Sequence, residues 1–274
     1  MELNTEDLHK IHEVLKEMID EVDRICRKNN ICYFLEGGTA LGAVRHGGFI
    51  PWDDDVDLGM LRADYDKFIE VCKYELGNKY VLQSIENEPL YTNFHIKIRK
   101  LNTIYPQSYN KNYKYKGIQL DIFPFDNLPD NKLIAKLHNT HVRFYRNICK
   151  VASKPYSKNF IKAMVQKVIK IYAGKNYRSK FEDLCIKYND RPTHFVTSFI
   201  SHYFWKRDLY FRRDDILPII DGPFDDRVYM QMNHPEGLLI EKFGIDYMQL
   251  PPENKRRTHV VGKIIFDTTK ETEL

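Results

Sequence analysis

The sequence predicts an α/β (α+β) fold with a mixed-sheet core, a helical insert and a C-terminal extension, all within a single domain of 274 residues. Segments of helical and strand-like periodicity alternate over residues 1–130, which is typical of a mixed core. Residues 131–190 have a helical pattern and an excess of basic side chains. Residues 191–274 are divided by Asp-Gly-Pro, Asn-His-Pro and Pro-Pro turn signals, which indicate a separate extension.

The composition is that of an ordinary globular protein, with 43% hydrophobic and 29% charged residues. No window approaches the run of about 18 apolar residues that a membrane-spanning helix needs. The N-terminal segment is acidic and amphipathic, unlike a secretion signal. Five scattered cysteines without a CxxC pair argue against a disulfide framework or a zinc knuckle and favour a reducing cytoplasm. The mild net charge of +4 predicts no nucleic-acid partner.

The first predicted elements lead into a glycine pair. Residues 5–29 carry apolar side chains at helical spacing, and Asn29-Asn30 ends this helix. Residues 31–35 (ICYFL) predict a short strand, after which Gly37-Gly38 precedes a short helix, TALGAVR. Because glycine lets backbone N–H groups approach an anion closely, this segment predicts a phosphate-binding turn.

The remaining core elements follow in order. Residues 61–76 predict another helix, closed by Gly77. Alternation and β-branched content indicate three strands, at residues 81–85, 94–100 and 117–125. These strands complete the predicted sheet.

Four aspartates lie within five positions, directly before the helix at 61–76. Asp55 and Asp57 are two residues apart in a predicted strand, so both side chains point to the same face, about 6–7 Å apart. Carboxylates this close raise each other's pKa, and a divalent cation that prefers oxygen ligands removes the conflict. Asp121, a lone charge in the strand 117–125, supplies a third acid. The pattern predicts a Mg²⁺ site.

Basic side chains near these acids are candidates for phosphate binding. Arg45 ends the TALGAVR helix beside the acidic loop. Lys97 and Arg99 share one face of the predicted strand at residues 94–100. Such groups neutralise charge on a transferred phosphoryl group, although an exposed polar strand face explains Lys97 and Arg99 equally well. The sequence does not decide the role of Asp53 and Asp54, which could bind the metal, position Arg45 or cap the loop.

The glycine and aspartate motifs occur together in EGGTALGAVRHGGFIPWDDDVDLGM, residues 36–60. This stretch resembles the signature of the LicD family of phosphocholine transferases, which is related to the fukutin-type transferases. FHIKIRK, GIQLDIFPFDNLPD, PFDDR and KFGIDYMQLPPENKRRTH resemble later blocks of the same family. The resemblance covers most of residues 5–260, with 130–190 the least anchored. It implies a nucleotidyltransferase-like fold, a Mg²⁺ or Mn²⁺ cofactor and CDP-choline as the donor.

The resemblance also implies roles for individual residues. Gly37 and Gly38 match the family's Gly-Gly turn, Asp55 and Asp57 match its metal-binding pair, and Asp121 matches its third acid. The expected cofactor-binding set is Gly37, Gly38, Thr39, Arg45, Lys97 and Arg99. The implied reaction moves phosphocholine from CDP-choline to a hydroxyl of a cell-surface glycan precursor, of teichoic acid or lipopolysaccharide type. In that reaction Asp121 would share a metal and accept the proton of the attacking hydroxyl.

Two alternatives stay open at this point. The same site fits another CDP-linked alcohol, with transfer of glycerol phosphate or ribitol phosphate to a capsule or teichoic acid glycan. A non-catalytic calcium-binding module is the second alternative, because Asp53-x-Asp55-x-Asp57 imitates the start of an EF-hand loop. Against it, Leu58 stands where that loop needs glycine, and Asp64 stands where it needs glutamate.

Two further features bear on partners. The aromatic clusters at residues 105–115 and 201–205 could hold a quaternary ammonium such as choline, although packing explains most aromatic residues. The segment 158–180 holds seven Lys and Arg, no acid, and apolar residues at helical spacing. Such a helix is either solvated or rests on an anionic membrane, where a lipid-linked glycan acceptor would be found. We therefore expect a cytoplasmic protein, with peripheral contact at the inner face of the plasma membrane left open.

Overall fold

The fold was analysed in a computed structural model, which describes residues 5–88, 91, 93–201, 204, 206–256 and 258–269. The chain forms two compact units. The core unit comprises Met1–Pro124 and Asp214–Leu274, and the helical unit comprises Phe125–Arg213. Most of the predicted C-terminal extension, residues 191–274, thus belongs to the same unit as the N-terminal residues.

The core unit contains most of the strands. Its helices are α1 (Thr5–Lys28), α2 (Gly37–His46), α3 (Arg62–Glu75), α7 (Arg213–Ile216, which starts at the boundary) and α8 (Glu236–Phe243), with a 3₁₀ turn at Glu253–Lys255. Its strands are β1 (Phe34–Leu35), β2 (Asp57–Leu61), β3 (Tyr80–Gln83), β4 (Ile96–Lys100) and β5 (Gln119–Leu128, which continues into the helical unit), together with the hairpin β8 (Ile220–Phe224) and β9 (Arg227–Gln231).

The sheet of the core unit has the strand order β1-β2-β5-β4-β3. The pairs β1–β2, β3–β4 and β4–β5 are antiparallel. In the β4–β5 register, Ile98 lies opposite Leu120, and both are fully buried. Because side chains alternate between the two faces of a strand, the same register places Lys97 directly opposite Asp121 on the other face.

The long helix α1 covers this unit with a continuous apolar stripe. Its residues at helical spacing are completely buried: Ile11, Leu15, Met18, Ile19, Val22, Ile25 and Cys26. Burying one large aliphatic side chain contributes roughly 1.5–3 kcal/mol, so this stripe is a major source of stability. Acidic residues in its first turn and Arg27-Lys28 in its last turn agree with the helix dipole.

The helical unit contains α4 (Lys132–Ala152), α5 (Phe160–Ala173) and α6 (Tyr177–Cys185). The Asn131 side chain accepts hydrogen bonds at the start of α4, and that of Asn159 does so at the start of α5. The short strands β6 (Phe195–Thr197) and β7 (Phe211–Arg212) extend the second half of β5, both in antiparallel pairs. Helix α4 packs against both α5 and α6.

These elements confirm the mixed α/β fold that the sequence predicts. Three differences from expectation bear on function. Helix α2 begins at Gly37 itself, so the glycine pair forms the first turn of the helix, and the basic segment 158–180 is divided at Gly174 into two helices. Asp55 lies before β2 and not within the strand that the sequence predicts for it. Strand β2 occupies Asp57–Leu61 and runs directly into α3, so residues 53–64 do not form an EF-hand loop. Among the described residues, no helix is both long and apolar enough to cross a membrane.

Candidate active site

Two glycines at the start of α2 lie against the carboxylates of the acidic loop. A Cβ atom at Gly37 would lie 2.9 Å from Asp57 Oδ2, and one at Gly38 would lie 2.8 Å from Asp53 Oδ2. Gly37 also has a φ of +55°, in the left-handed region that favours glycine. The Gly-Gly pair therefore lets two carboxylates approach the first turn of α2 more closely than any larger residue would.

Thr39 and Glu36 tie the start of β2 to the start of α2. The Asp57 N–H donates to Thr39 Oγ1 over 2.9 Å, and the Glu36 N–H donates to the Asp57 carbonyl oxygen over 3.0 Å. The backbone on both sides of the glycine pair is thus fixed to the strand that carries Asp57. These two bonds position the Asp57 carboxylate beside residues 36–39. The Glu36 side chain, at the N-cap of α2, makes no capping hydrogen bond.

Three side chains in the described part of the chain come close enough to share a metal ion. One carboxylate oxygen each from Asp53 and Asp55 and one ring nitrogen of His259 all lie within 4.8 Å of one another. Asp53 was left open by the sequence, and His259 was not predicted at all. His259 is the last residue of the block KFGIDYMQLPPENKRRTH, but no local spacing connects it to aspartates some two hundred positions earlier.

Asp54 holds His259 in this position. The carboxylate of Asp54 is buried and accepts hydrogen bonds from the backbone N–H groups of His259 (2.8 Å) and Val260 (3.1 Å). The His259 ring nitrogen Nδ1 lies 3.0 Å from Asp54 Oδ1 and 3.3 Å from Asp55 Oδ2. Tyr105 OH donates to the Asp54 carbonyl oxygen over 3.2 Å. Asp54 therefore acts as an anchor for the C-terminal segment.

Burial and mutual repulsion shift the pKa values of these groups. Burial raises the pKa of Asp53, Asp55 and Asp57, and the neighbouring carboxylates raise the pKa of Asp53 and Asp57 further. The hydrogen bond to Asp54 raises the pKa of His259 to about 9. Burial by itself would raise the pKa of Asp54, but its hydrogen bonds with His259 and Tyr105 outweigh burial and lower it. The loop thus concentrates more negative charge than His259 can neutralise, which is the condition that favours cation binding.

Asp121 has cationic neighbours of its own. The Lys97 ammonium forms an ion pair with Asp121 Oδ1, and His95 Nε2 lies 3.6 Å from the same oxygen. Burial opposes ionisation of Asp121, but Lys97 and His95 outweigh it and lower its pKa. A carboxylate with a lowered pKa is a weak proton acceptor, so this geometry favours a charged ligand over the general base that the resemblance implies. Asp121 also adds to the repulsion that raises the pKa of Asp57.

The two arginines of the predicted phosphate-binding set bond to other partners. Arg99 is completely buried, and its guanidinium donates to Gln83 Oε1 and to the Gly117 carbonyl oxygen, both over 2.8 Å. Arg45 donates to the carbonyl oxygens of Tyr247 (2.9 Å) and Gln249 (3.1 Å). These bonds fix the loop before β5 and the segment after α8, and phosphate binding by Arg45 and Arg99 stays a prediction.

A buried ion pair joins α8 to the start of α2. Lys242 of α8 contacts Glu36 through its ammonium group, and both residues are less than a tenth exposed. Glu36 directly precedes Gly37, so the pair lies one residue from the glycine turn. The sequence alone gives no sign of this contact, because the two residues are far apart in the chain.

The aromatic residues that the sequence suggests for choline binding differ in their exposure to solvent. Tyr105 and Tyr113 are buried, whereas Tyr109 is half-exposed and its ring centroid lies 5.8 Å from the Lys97 ammonium nitrogen. In the second cluster, His202, Tyr203 and Trp205 lie outside the described residues.

The carboxylates present fit a divalent metal ion. Asp53 and Asp55 supply oxygen donors within the group that includes His259, whereas Asp57 and Asp121 of the predicted metal-binding set are not part of that group. Burial and repulsion between carboxylates raise the pKa of Asp53 and Asp57, and a nearby dication would relieve the repulsion. Oxygen-rich donor sets suit Mg²⁺ and Mn²⁺. The glycine pair places the first turn of α2, where backbone N–H groups favour anions, directly beside the same carboxylates.

Comparison with known proteins connects this geometry to a family. Residues 30–158, which contain the glycine pair, the acidic loop and Asp121, match the model of the LicD/FKTN/FKRP nucleotidyltransferase domain. The chain carries a LicD-family nucleotidyltransferase domain. The resemblance that the sequence suggests is thereby confirmed, and the match includes every acid discussed above.

Named relatives of the LicD family align with different shares of the chain. The lipopolysaccharide cholinephosphotransferase LicD of Haemophilus influenzae is 26% identical over 249 residues, which are 90% of this chain and 93% of that protein. The human ribitol 5-phosphate transferase FKRP is 48% identical over 64 residues, which are 23% of this chain and 13% of that protein. The mouse ribitol-5-phosphate transferase FKTN is 32% identical over 74 residues.

Proposed function

We propose that this chain transfers phosphocholine from CDP-choline to a hydroxyl group of a cell-surface glycan precursor, with the help of Mg²⁺ or Mn²⁺. The observation that carries this proposal is the alignment with a lipopolysaccharide cholinephosphotransferase over 90% of this chain and 93% of that relative. The alignment spans 249 residues and so extends well beyond the LicD-family domain at residues 30–158.

In this proposal the acidic loop holds the cation. Asp53, Asp55 and Asp57 are the ligands we assign, and Asp121 adds charge from the neighbouring strand β5. A bound dication would polarise the transferred phosphorus and stabilise the departing CMP. The first-turn amides of α2, at Gly37, Gly38 and Thr39, would bind the diphosphate of the donor, because helix N-termini favour anions.

The reaction is a displacement at phosphorus. The acceptor oxygen forms a bond to the phosphorus that carries choline, and the bond from that phosphorus to the bridging oxygen breaks, so that CMP leaves with the electron pair. Lys97 lies beside Asp121 and supplies positive charge near the transferred group. Since the ion pair keeps the pKa of Asp121 low, we assign the proton of the acceptor hydroxyl to solvent or to the leaving CMP in preference to Asp121.

Ribitol phosphate is the second candidate cargo. The 64 residues that are 48% identical to human FKRP support it, although they are 13% of that relative. The donor-side residues would serve either cargo, since both donors carry the same cytidine diphosphate group. The two candidates differ only in the alcohol, so a comparison of donors separates them.

The experiment follows donor cleavage by ³¹P NMR. Purified protein is given CDP-choline, CDP-ribitol or CDP-glycerol, with and without Mg²⁺, in the presence of an acceptor glycan preparation. We expect Mg²⁺-dependent release of CMP, fastest from CDP-choline. Asp57→Asn should slow this release roughly a thousandfold, because it removes one ligand of the proposed cation site.

The matched control is Asp66→Asn on the exposed face of α3, where the carboxylate pairs with Arg62 at 3.6 Å. This variant should keep the wild-type rate. Equal rates for Asp57→Asn and Asp66→Asn would show that the proposed site is wrong. Preferential cleavage of CDP-ribitol would keep the site and replace the cargo.

A further inference from the structure

Helix α5 of the helical unit turns its apolar face outward. Phe160 is 77% exposed, Ile161 72%, Val168 67% and Ile171 72%. Met164, Val165 and Tyr172 are also more than half exposed. At about 100° per residue, these seven side chains occupy one continuous arc of about 140° on the helix. We call them the α5 apolar arc.

The opposite side of α5 holds the helix to the rest of its unit. Ala173 is the residue of α5 that is fully buried, and it lies on that opposite side. Gln166 accepts a hydrogen bond from the Ser157 N–H over 2.6 Å and donates to the Pro155 carbonyl oxygen. Lys170 donates to the Lys154 carbonyl oxygen over 2.7 Å. Apart from the partly buried Ile169, the inward face is therefore small or polar, whereas the large apolar side chains of the arc are exposed.

The surroundings of the α5 apolar arc are strongly basic. Residues 131–181 contain thirteen Lys and Arg and no Asp or Glu, whereas the whole chain has a net charge of only +4. Lys162 and Lys167 stand at the two margins of the arc by helical spacing. A partner of this surface must therefore accept about seven apolar side chains and, at the same time, offer many negative charges.

We propose that the α5 apolar arc binds the surface of an anionic lipid bilayer. The arc enters the boundary between headgroups and acyl chains, while the lysines at its margins contact lipid phosphates. This arrangement is that of an interfacial amphipathic helix, which lies in the plane of the membrane with its apolar side down. Each Lys or Arg near such a surface is attracted to the anionic headgroups, and the apolar side chains add their transfer free energy.

The charge distribution favours a lipid surface over the other possible occupants. A second copy of this chain would bring another thirteen positive charges against the first set, and mutual repulsion opposes that contact. A nucleic acid would match the charge, but its phosphate backbone offers nothing to a large apolar arc. An anionic bilayer satisfies both requirements.

The experiment measures co-sedimentation with vesicles, in EDTA and without any nucleotide. Vesicles contain either phosphatidylcholine alone or phosphatidylcholine with about 30% phosphatidylglycerol. We expect the wild-type chain to bind the anionic vesicles at least tenfold more tightly than the neutral ones, and less tightly as NaCl increases beyond about 0.1 M. Because neither metal nor donor is present, failure here leaves the transfer proposal intact.

Two variants test the apolar and the electrostatic contributions to binding separately. The triple change Ile161→Gln, Val168→Gln and Ile171→Gln keeps the charge and the helix propensity and should weaken binding to anionic vesicles at least tenfold. The double change Lys162→Gln and Lys167→Gln should weaken it severalfold. A control variant, Tyr74→Gln with Ile245→Gln, alters two highly exposed apolar side chains outside α5 and should bind as the wild type does.

Several outcomes would overturn the proposal. Wild-type protein that stays in solution with anionic vesicles contradicts it directly. Unchanged binding of the triple variant, with loss of binding in the lysine variant, would reduce the effect to unspecific charge attraction. A wild-type dimer in sedimentation velocity that the triple variant breaks, without vesicle binding, would assign the arc to a second copy. Circular dichroism and the thermal midpoint of the triple variant show that the fold is retained.

Discussion

At the residue scale, the acidic loop depends on close contacts that only glycine permits. Gly37 and Gly38 each face a carboxylate oxygen so closely that an added Cβ would displace it, since that Cβ would lie 2.9 Å from Asp57 and 2.8 Å from Asp53, respectively. The Asp54 carboxylate holds His259, whereas Asp53, Asp55 and Asp57 are available for cation binding. The four aspartates of the acidic loop are therefore divided between a structural anchor and a candidate cation site.

Gly37→Ala tests whether this contact matters for function as well as for folding. The substitution forces a φ of +55° on alanine and moves the Asp57 carboxylate. We expect a loss of about 1 kcal/mol in the free energy of unfolding and at least a tenfold loss of activity. Gly47→Ala is the matched control, because Gly47 has a φ of +74° and nothing within 4 Å of the added Cβ.

The control variant should lose similar stability, by urea unfolding, and keep its activity. Equal activities of Gly37→Ala and Gly47→Ala would show that Gly37→Ala acts through backbone strain alone and that its contact with Asp57 does not matter for activity.

The raised pKa values predict how metal binding depends on pH. Protons compete with a cation for Asp53 and Asp57, whose pKa values are raised by burial and by the neighbouring carboxylates, and a protonated His259, whose pKa is about 9, repels a cation in the same loop. Both effects have the same sign. The affinity for Mn²⁺ should therefore rise, by roughly tenfold, between about pH 6 and about pH 8.

Titration calorimetry with Mn²⁺ at the two pH values measures this directly. NMR titration of His259 in the metal-free protein gives an independent check, since its pKa should lie well above that of an ordinary histidine. An affinity for Mn²⁺ that is constant over this interval would contradict the assignment of these carboxylates as ligands.

At the element scale, α8 is joined to the start of α2 by one buried ion pair. Burying Lys242 and Glu36 removes both charges from water, and their contact with each other offsets that cost. The same contact holds a C-terminal helix beside the glycine turn. Helix α8 therefore helps to hold the start of α2 in place, although α8 follows the glycine turn by some two hundred residues in the chain.

Lys242→Met should destabilise the protein by about 3–5 kcal/mol, because it leaves the Glu36 carboxylate buried without this partner. The double variant Lys242→Met with Glu36→Leu should recover much of that loss, since no buried charge then remains. Urea unfolding measures both. Lys73→Met, which removes an exposed lysine paired with Glu70, should leave the unfolding midpoint nearly unchanged. A loss in Lys242→Met no greater than in Lys73→Met would refute this interpretation of the pair.

At the scale of the whole molecule, charge is distributed very unevenly. A net charge of +4 conceals a stretch of fifty-one residues with thirteen positive charges and no negative ones. The remainder of the chain is acidic, and it includes the aspartates of the candidate site. We therefore assign the proposed donor chemistry to the core unit and the proposed lipid contact to the helical unit.

Much of the core unit could be predicted from local pattern. The apolar stripe of α1 and the alternation in β4 and β5 follow from periods of 3.6 and 2, which are properties of consecutive residues. The positions of Asp57 on a strand and of Asp121 on β5 follow from the same alternation, whereas Asp55, which the alternation also places in a strand, lies before β2. The pairing of Lys97 with Asp121 was not, because the register between two strands is not encoded in either strand alone.

The mixed α/β class, the main elements and the LicD-family domain could be predicted from the residues alone, because motif and periodicity are local properties of the chain. Only the tertiary structure decided that His259 meets Asp54 and Asp55, that Lys242 meets Glu36, and that the apolar side of α5 faces outward. The physical reason is the same in each case. Contacts between distant residues, and the choice of which helix face is covered, depend on where the folded chain brings other elements, and no local pattern specifies that.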